Sequence, residues 1–405
     1  MRRIVWVLLL LFAFSVPWEY SLDLGAPFGN IARIVGLILL IVAAPAALQA
    51  GGFRRLGPLH WLTLALYLWF CGSLFWTIGT DATLIKLRGY FQEMMIVWLI
   101  WEFGESAVDV RNLMRAWLAG SWVLAILTIA NFAISDPGSA EQIRFAASGQ
   151  DPNDVARFLD LGFPIAALLL DGRERWAGKV LAAAYVPLGF VCVLLTASRG
   201  GFLAAVVALV GCAVLLFQRF RTGLLWGVLA LPVAAAAILL SVPRETLDRI
   251  ASIAGQLRYG DLNQRVSIWS AGWNAFLHAP ICGHGAGSFV VAARLAPIDT
   301  AHNTALSILV EGGLIALALA TGIVIISARS ILATGGALRI ALATLMMVWL
   351  MSSLVGTVGE SRITWLLLAV IALSHRLIEE KPQQVEQEFP SPPSPAELPL
   401  AERMP

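Results

Sequence analysis

Apolar runs of near-constant length, broken by short polar turns, set the pattern of this chain from its second residue onward. A helix that crosses a bilayer needs roughly 20 mostly apolar residues. Runs of that kind lie near residues 3–18, 31–50, 58–78, 85–103, 113–134, 154–171, 178–197, 201–217, 223–242, 303–327, 337–357 and 362–378, about twelve in all. Within a bilayer the backbone must satisfy its own hydrogen bonds, and no alternating pattern suggests a barrel, so the runs are expected to be helices. The first run follows Arg2 and Arg3 and is expected to be an uncleaved helix. A signal peptide cut after the Ala13-Phe14-Ser15 stretch is the alternative.

Charge orients the bundle. Arg2, Arg3, Arg54, Arg55, Arg111, Arg115, Arg173, Arg175, Lys179, Arg219, Arg221, Arg329, Arg339, Arg376 and Lys381 all fall in one set of alternate connections. Basic residues are retained on the cytoplasmic side, so both termini are expected there. The external side then receives residues 135–153, the Ser198–Gly201 turn and the long segment 243–302. The expected division is a bundle of about nine helices over 1–242, the external segment 243–302, further membrane helices over 303–378 and an unstructured tail over 379–405 rich in Pro, Glu and Gln. Inside 243–302, Val266, Trp269, Trp273 and Phe276 recur at helical spacing and predict an amphipathic helix that lies on the bilayer or caps the bundle. Pro280 ends it, and Gly283, Gly285 and Gly287 are expected to form a flexible turn.

Composition narrows the classes. With 59% hydrophobic and only 13% charged residues, where a soluble domain carries about a quarter charged, the chain is an integral membrane protein. A net charge of +2 is too small and dispersed for nucleic acid binding. Cys71, Cys192, Cys212 and Cys282 form neither a metal spacing nor a disulfide set. The glycines near residue 283 lack the preceding strand of a dinucleotide fingerprint and the Lys-Ser/Thr of a P-loop. No cofactor and no metal are expected, so the reaction must be driven by an activated substrate.

The polar residues at the external side are the candidates for chemistry. Arg199 sits in a tight turn between two apolar runs, against the charge rule, which calls either for an anionic ligand or for a snorkelling side chain. Arg265 opens the amphipathic helix, where a guanidinium and a helix N-terminus can together hold a phosphate, or it is an ordinary surface arginine. His302 titrates near neutrality and suits a general base acting on a hydroxyl, although a lone loop histidine is commonly incidental. Asn303 either caps the next helix or binds a sugar hydroxyl. His284 lies inside the glycine turn. Arg144 and Arg157 flank the turn 148–157 and add positive potential. Lys86, Arg88, Gln92 and Glu93 recur at helical spacing, so they are expected to face the bundle interior, for substrate contact or structural pairing.

Ser198-Arg199-Gly200-Gly201 at a helix start, Gly283-His284-Gly285-Ala286-Gly287-Ser288-Phe289, then Ala301-His302-Asn303 followed by Glu311-Gly312-Gly313 resemble the O-antigen ligase and polymerase superfamily. The resemblance is strongest over residues 190–375. It implies an all-α polytopic membrane protein with a GT-C-like fold, placed in the bacterial inner membrane with its site facing the periplasm. It further implies a donor glycan linked to undecaprenyl diphosphate, an acceptor that is a lipid A-core or another glycan, and no metal. Arg199 and Arg265 match arginines that hold the donor diphosphate, and His302 matches the histidine that activates the acceptor hydroxyl. From their own positions in the chain, Arg144, Arg88, Asn303 and His284 are expected as further substrate contacts. Ligase and polymerase share these motifs; the single long late loop leans towards a ligase. A transporter would place its charges near the midplane, whereas Arg199, Arg265 and His302 fall at one face. A purely structural scaffold would need no such cluster.

Overall fold

A computed structural model describes residues 1–25, 29–49, 53–135, 144–170, 173–219, 242–297 and 299–390. Its helices, in chain order, are α1 (Arg2–Ser15), α2 (Ile31–Gln49), α3 (Pro58–Gly72), α4 (Thr80–Phe103), α5 (Ala107–Ile134), α6 (Pro152–Leu169), α7 (Trp176–Leu195), α8 (Arg199–Arg219), α9 (Arg244–Ala251), α10 (Ile253–Tyr259), α11 (Arg265–His278), α12 (Phe289–Ala292), α13 (Thr304–Ala333), α14 (Gly336–Val355), α15 (Arg362–Glu380) and α16 (Pro382–Glu388). Among the described residues there is no strand, only an isolated bridge between Asp23 and Asn30. The all-α polytopic architecture is as expected. The expected span 223–242 lies outside the described residues except for its last.

Eight helical segments among the described residues are long and apolar enough to cross a membrane. Helices α4, α6 and α15 have 24, 18 and 19 residues and carry too many charges to join them. At 1.5 Å per residue each still reaches about 27 Å or more. Their packing explains the charges. Every residue of α6 from Val155 to Leu169 is buried, and so is every residue of α15 from Ile363 to Ser374. Helix α6 packs against α5, α7, α8 and α14, and α15 against α4 and α13. A helix enclosed by protein on all sides has no lipid-facing stripe, so Arg157 and Asp160 sit among neighbours rather than in hydrocarbon.

The two ends of the bundle differ in their ion pairs. At one end Arg2 pairs with Glu105 at 2.9 Å and Arg54 donates its backbone N–H to Glu102 at 2.8 Å. Arg376 donates there to the carbonyls of Trp101 and Gly104. Glu174 accepts from Arg115 at 2.6 Å, and Glu388 forms an ion pair with Arg111 at 2.5 Å. These are the basic residues that the charge pattern assigns to one side, and Arg2 and Arg376 bring the beginning and end of the described bundle to the same face. At the other end of α1 and α15, Glu19 pairs with Arg362. Residues 382–388 depart from the expected unstructured tail: they form α16, because Glu388 has Arg111 and Arg173 to bind and Phe389 buries its ring against the Arg111 guanidinium.

Two further expectations are corrected. Helix α11 buries Ile268, Gly272, Ala275 and Phe276, while Val266 and Trp273 are exposed. Gly272 lets α11 approach Leu306 of α13, and this fixes which face turns inward. Of the expected stripe, Trp269 and Phe276 meet the bundle, and Trp273 is left for the headgroup region. The glycine turn is equally well tied down. Gly313 breaks α13 with φ +67°, and an added Cβ there would lie 2.1 Å from the Ile281 carbonyl oxygen. The broken helix is repaired from the turn: His284 N–H donates to Val310 O, Gly285 N–H to Glu311 O and Leu314 N–H to Pro280 O, each at 2.9 Å. Unsatisfied backbone is costly at membrane depth, so the two glycine motifs are complementary halves of one structure.

Candidate functional site

The end of the bundle at which Glu19 pairs with Arg362 holds a chamber of about 320 Å³ lined by Asp151, Asp154, Arg157, Ser198, Gly200, Arg265, Thr300 and His302, among others. The N-termini of α6, α8 and α11 all open onto it, and free N–H groups at helix starts favour anions. Asp151 caps α6 through Asn153 N–H at 2.7 Å. Ser198 ties α8 to α6 by donating to Asn153 Oδ1 at 2.8 Å, and accepts from Gly201 N–H at 3.1 Å.

His302 is presented to this chamber under constraint. Its φ is +45°, a left-handed conformation that a non-glycine residue adopts only when its surroundings enforce it. Both neighbours supply that force. Trp269 Nε1 donates to Ala301 O at 3.0 Å, and Asn303 caps α13 by accepting from Leu306 N–H at 2.9 Å. Thr304 then anchors to Gly356 O at 2.9 Å. The half-buried imidazole has Nδ1 3.3 Å from Thr300 Oγ1; when Nδ1 carries the proton, Nε2 is left as the acceptor. Burial lowers the His302 pKa from its ordinary value and Arg265 lowers it further, against the opposing charges of Asp151, Asp299 and Asp154.

Arg265 lines the chamber and makes no hydrogen bond or ion pair among the described residues. Burial lowers its pKa, Asp151 opposes, and Arg199 adds to the lowering. Arg199 is placed differently. Its guanidinium donates to Arg249 O at 3.0 Å and to Ser252 Oγ at 2.8 Å, so it faces α9 and α10 and does not line the chamber. Arg144 donates to Thr196 O at 3.1 Å and Asn153 Oδ1 at 2.9 Å, clamping the starts of α6 and α8. Burial lowers its pKa first, then the positive charge of Arg249, with Arg265 and Arg199 contributing in the same direction. The four arginines therefore make one electropositive cluster, of which Arg265 is the member open to a ligand.

The remaining expected residues separate. Arg88 is exposed and lines a larger neighbouring chamber. His284 Nε2 is bonded to Ala275 O at 2.8 Å and belongs to the glycine turn. Asn303 spends its oxygen on the α13 cap, with Nδ2 3.3 Å from Leu354 O. Asn303→Asp, which keeps that cap, is expected to retain activity, whereas Asn303→Ala should lose about 1 kcal/mol, seen as a lower thermal midpoint in detergent. Sequence reasoning passed over Asp154, which pairs with Arg157 at 3.0 Å on the chamber wall; their spacing of three on a helix was the available signal. It also took Glu311 only as part of a motif. Lys86 Nζ lies 2.5 Å from Glu311 Oε2 and 2.5 Å from Glu360 Oε1.

No curated protein matches this chain in sequence. The family model described as O-antigen ligase matches residues 184–321, which include Arg199, Arg265, the glycine turn, His302 and the break at Gly313. Residues 184–321, which supply six of the fourteen residues lining the chamber, Arg265 and His302 among them, thus match the O-antigen ligase family, within a multi-pass membrane protein.

Proposed function

We propose that the protein is a glycosyltransferase of the O-antigen ligase type, moving a glycan from undecaprenyl diphosphate to a lipid A-core acceptor at the periplasmic face of the inner membrane. The observation that carries this is the pairing, in one chamber, of a backbone-constrained histidine whose pKa is lowered by burial with an arginine that has no hydrogen-bond or ion-pair partner among the described residues. The donor diphosphate lies against Arg265 and the converging helix N-termini, with Arg144 and Arg199 sustaining the potential from behind. His302 Nε2 takes the proton of the acceptor hydroxyl, whose oxygen attacks the anomeric carbon opposite the diphosphate. The new C–O bond forms as the anomeric C–O bond to phosphate breaks. Undecaprenyl diphosphate departs with that electron pair, its charge stabilised by Arg265, and the configuration inverts.

The test is a gel of surface glycolipids and lipid-linked intermediates from cells lacking the protein, complemented with wild type or variants. Long chains on undecaprenyl diphosphate beside bare core support a ligase. Single repeats accumulating or attached to core indicate a polymerase, whose acceptor is another lipid-linked repeat. Normal pools of both sink the reading. In the same assay Arg265→Gln is expected to lower transfer about 10²-fold. Arg199→Gln, which acts through Arg249 and Ser252, should cost less; equal losses would place Arg199 on the diphosphate as well.

A further inference from the structure

A chamber of about 840 Å³ adjoins the first and shares Thr300 and Thr357 with it. Of its nine charged lining residues, Lys86 is paired with Glu311 and Glu360, Arg362 with Glu19, and Asp23 and Asp299 accept from backbone N–H groups. Besides Arg33 on α2, two groups on α4 are left over. Glu93 lines the chamber at 5% exposure, and its Oε2 is buried with no hydrogen-bond partner among the described residues. A buried carboxylate oxygen without a partner carries a free-energy penalty, and here a ligand in the chamber can supply the missing donor. Arg88, five residues earlier, is exposed and has no hydrogen bond or ion pair among the described residues. Gln92 lines the same wall. A carboxylate oxygen, an amide and an unpaired guanidinium in a wide chamber match a hydroxyl-rich ligand bearing a negative substituent.

The position of the chamber says which ligand. In an inverting displacement the nucleophile arrives opposite the leaving group, and the diphosphate is assigned above to the smaller chamber. Thr300, which stands 3.3 Å from His302 Nδ1, belongs to the wall between the two. A hydroxyl group offered to His302 past Thr300 from the larger chamber would come from a space that Arg265 does not line. We propose that the larger chamber is the acceptor subsite and binds a glycan with an anionic substituent. Glu93 bonds a sugar hydroxyl there and Arg88 pairs with the substituent. The assignment rests on the transferase reading.

The experiment uses the full chain in nanodiscs, with an undecaprenyl-diphosphate-linked glycan as donor and purified core lipopolysaccharide lacking the outer chain as acceptor. Each substrate is titrated at saturation of the other for wild type, Glu93→Gln and Arg88→Gln. Both variants are expected to raise the acceptor KM about ten-fold or more and leave the donor KM unchanged. The Arg88→Gln effect should vanish with an acceptor whose phosphates have been removed. A rise in donor KM instead, or an acceptor KM that neither variant moves, overturns the assignment. Should Glu93→Gln be recovered unfolded, Arg88→Gln, an exposed change, decides alone. A wild-type protein that transfers nothing sinks the transferase reading itself; an active wild type with unmoved KM values sinks only the subsite.

Discussion

Replacing His302 by alanine is expected to lower turnover by about 10² to 10⁴, the usual contribution of a general base, with donor KM little changed. His302 sits at φ +45°, so a lost side chain and a shifted backbone must be told apart. His302→Asn does this, because asparagine tolerates the left-handed conformation better than alanine, and it should be as inactive as His302→Ala. The pH profile supplies the sign. A base works in its neutral form, and burial together with Arg265 lowers the His302 pKa. The acidic limb of kcat/KM should therefore fall below about pH 6.5, the value for a free imidazole. Arg265→Gln removes one of the charges that depress it, so the limb of the residual activity should move to higher pH. Wild-type turnover in His302→Asn, or a limb that moves to lower pH in Arg265→Gln, would show that His302 is not the base.

The helices were legible where composition decides them. Each described membrane helix begins and ends within six residues of an apolar run, and of the four polar residues of α4 expected to face the interior, Lys86 and Glu93 are buried whereas Arg88 is exposed. The direction of a side chain at a helix end was not legible. Arg199 and Arg265 look alike as external arginines, yet Arg199 is taken up by a carbonyl and a hydroxyl some fifty residues away, and only the folded segment α9–α10 brings them there. The glycine turn misled for the same reason. Glycines at 283, 285 and 287 read as freedom, whereas their use is close approach: Gly283 to Glu311 in the broken helix α13, a partner separated in sequence by an intervening helix, Gly285 to Thr77 and Gly287 to Ala82 near the start of α4. His302 and Asn303 read as equivalent polar residues; the helix beginning at Thr304 makes one of them a cap and leaves the other facing the chamber.

Lys86→Met is expected to destabilise the protein by about 3 to 5 kcal/mol, the cost of leaving one member of a buried ion pair without its counterion. Lys86 and Glu311 are both buried, and the ammonium stands 2.5 Å from Glu311 and from Glu360. Glu311 also accepts from Gly287 N–H at 3.0 Å and from Ser307 at 3.3 Å. One carboxylate thus joins α4, the glycine turn and α13 just below the segment that holds His302. Without the lysine, the Glu311 charge has, among the described residues, only those two weaker partners, while Glu360, half-exposed, can turn to water. The double change Lys86→Met/Glu311→Leu removes the charge along with its partner, and replacement of a buried pair by apolar groups is often close to neutral. It should recover much of the lost stability, less the bond to Gly287. Thermal midpoints of the two proteins in detergent measure the difference, which should persist at high salt because the pair is shielded from solvent ions. A double variant no more stable than Lys86→Met would mean that Lys86 matters for its packing and not for the charge it neutralises.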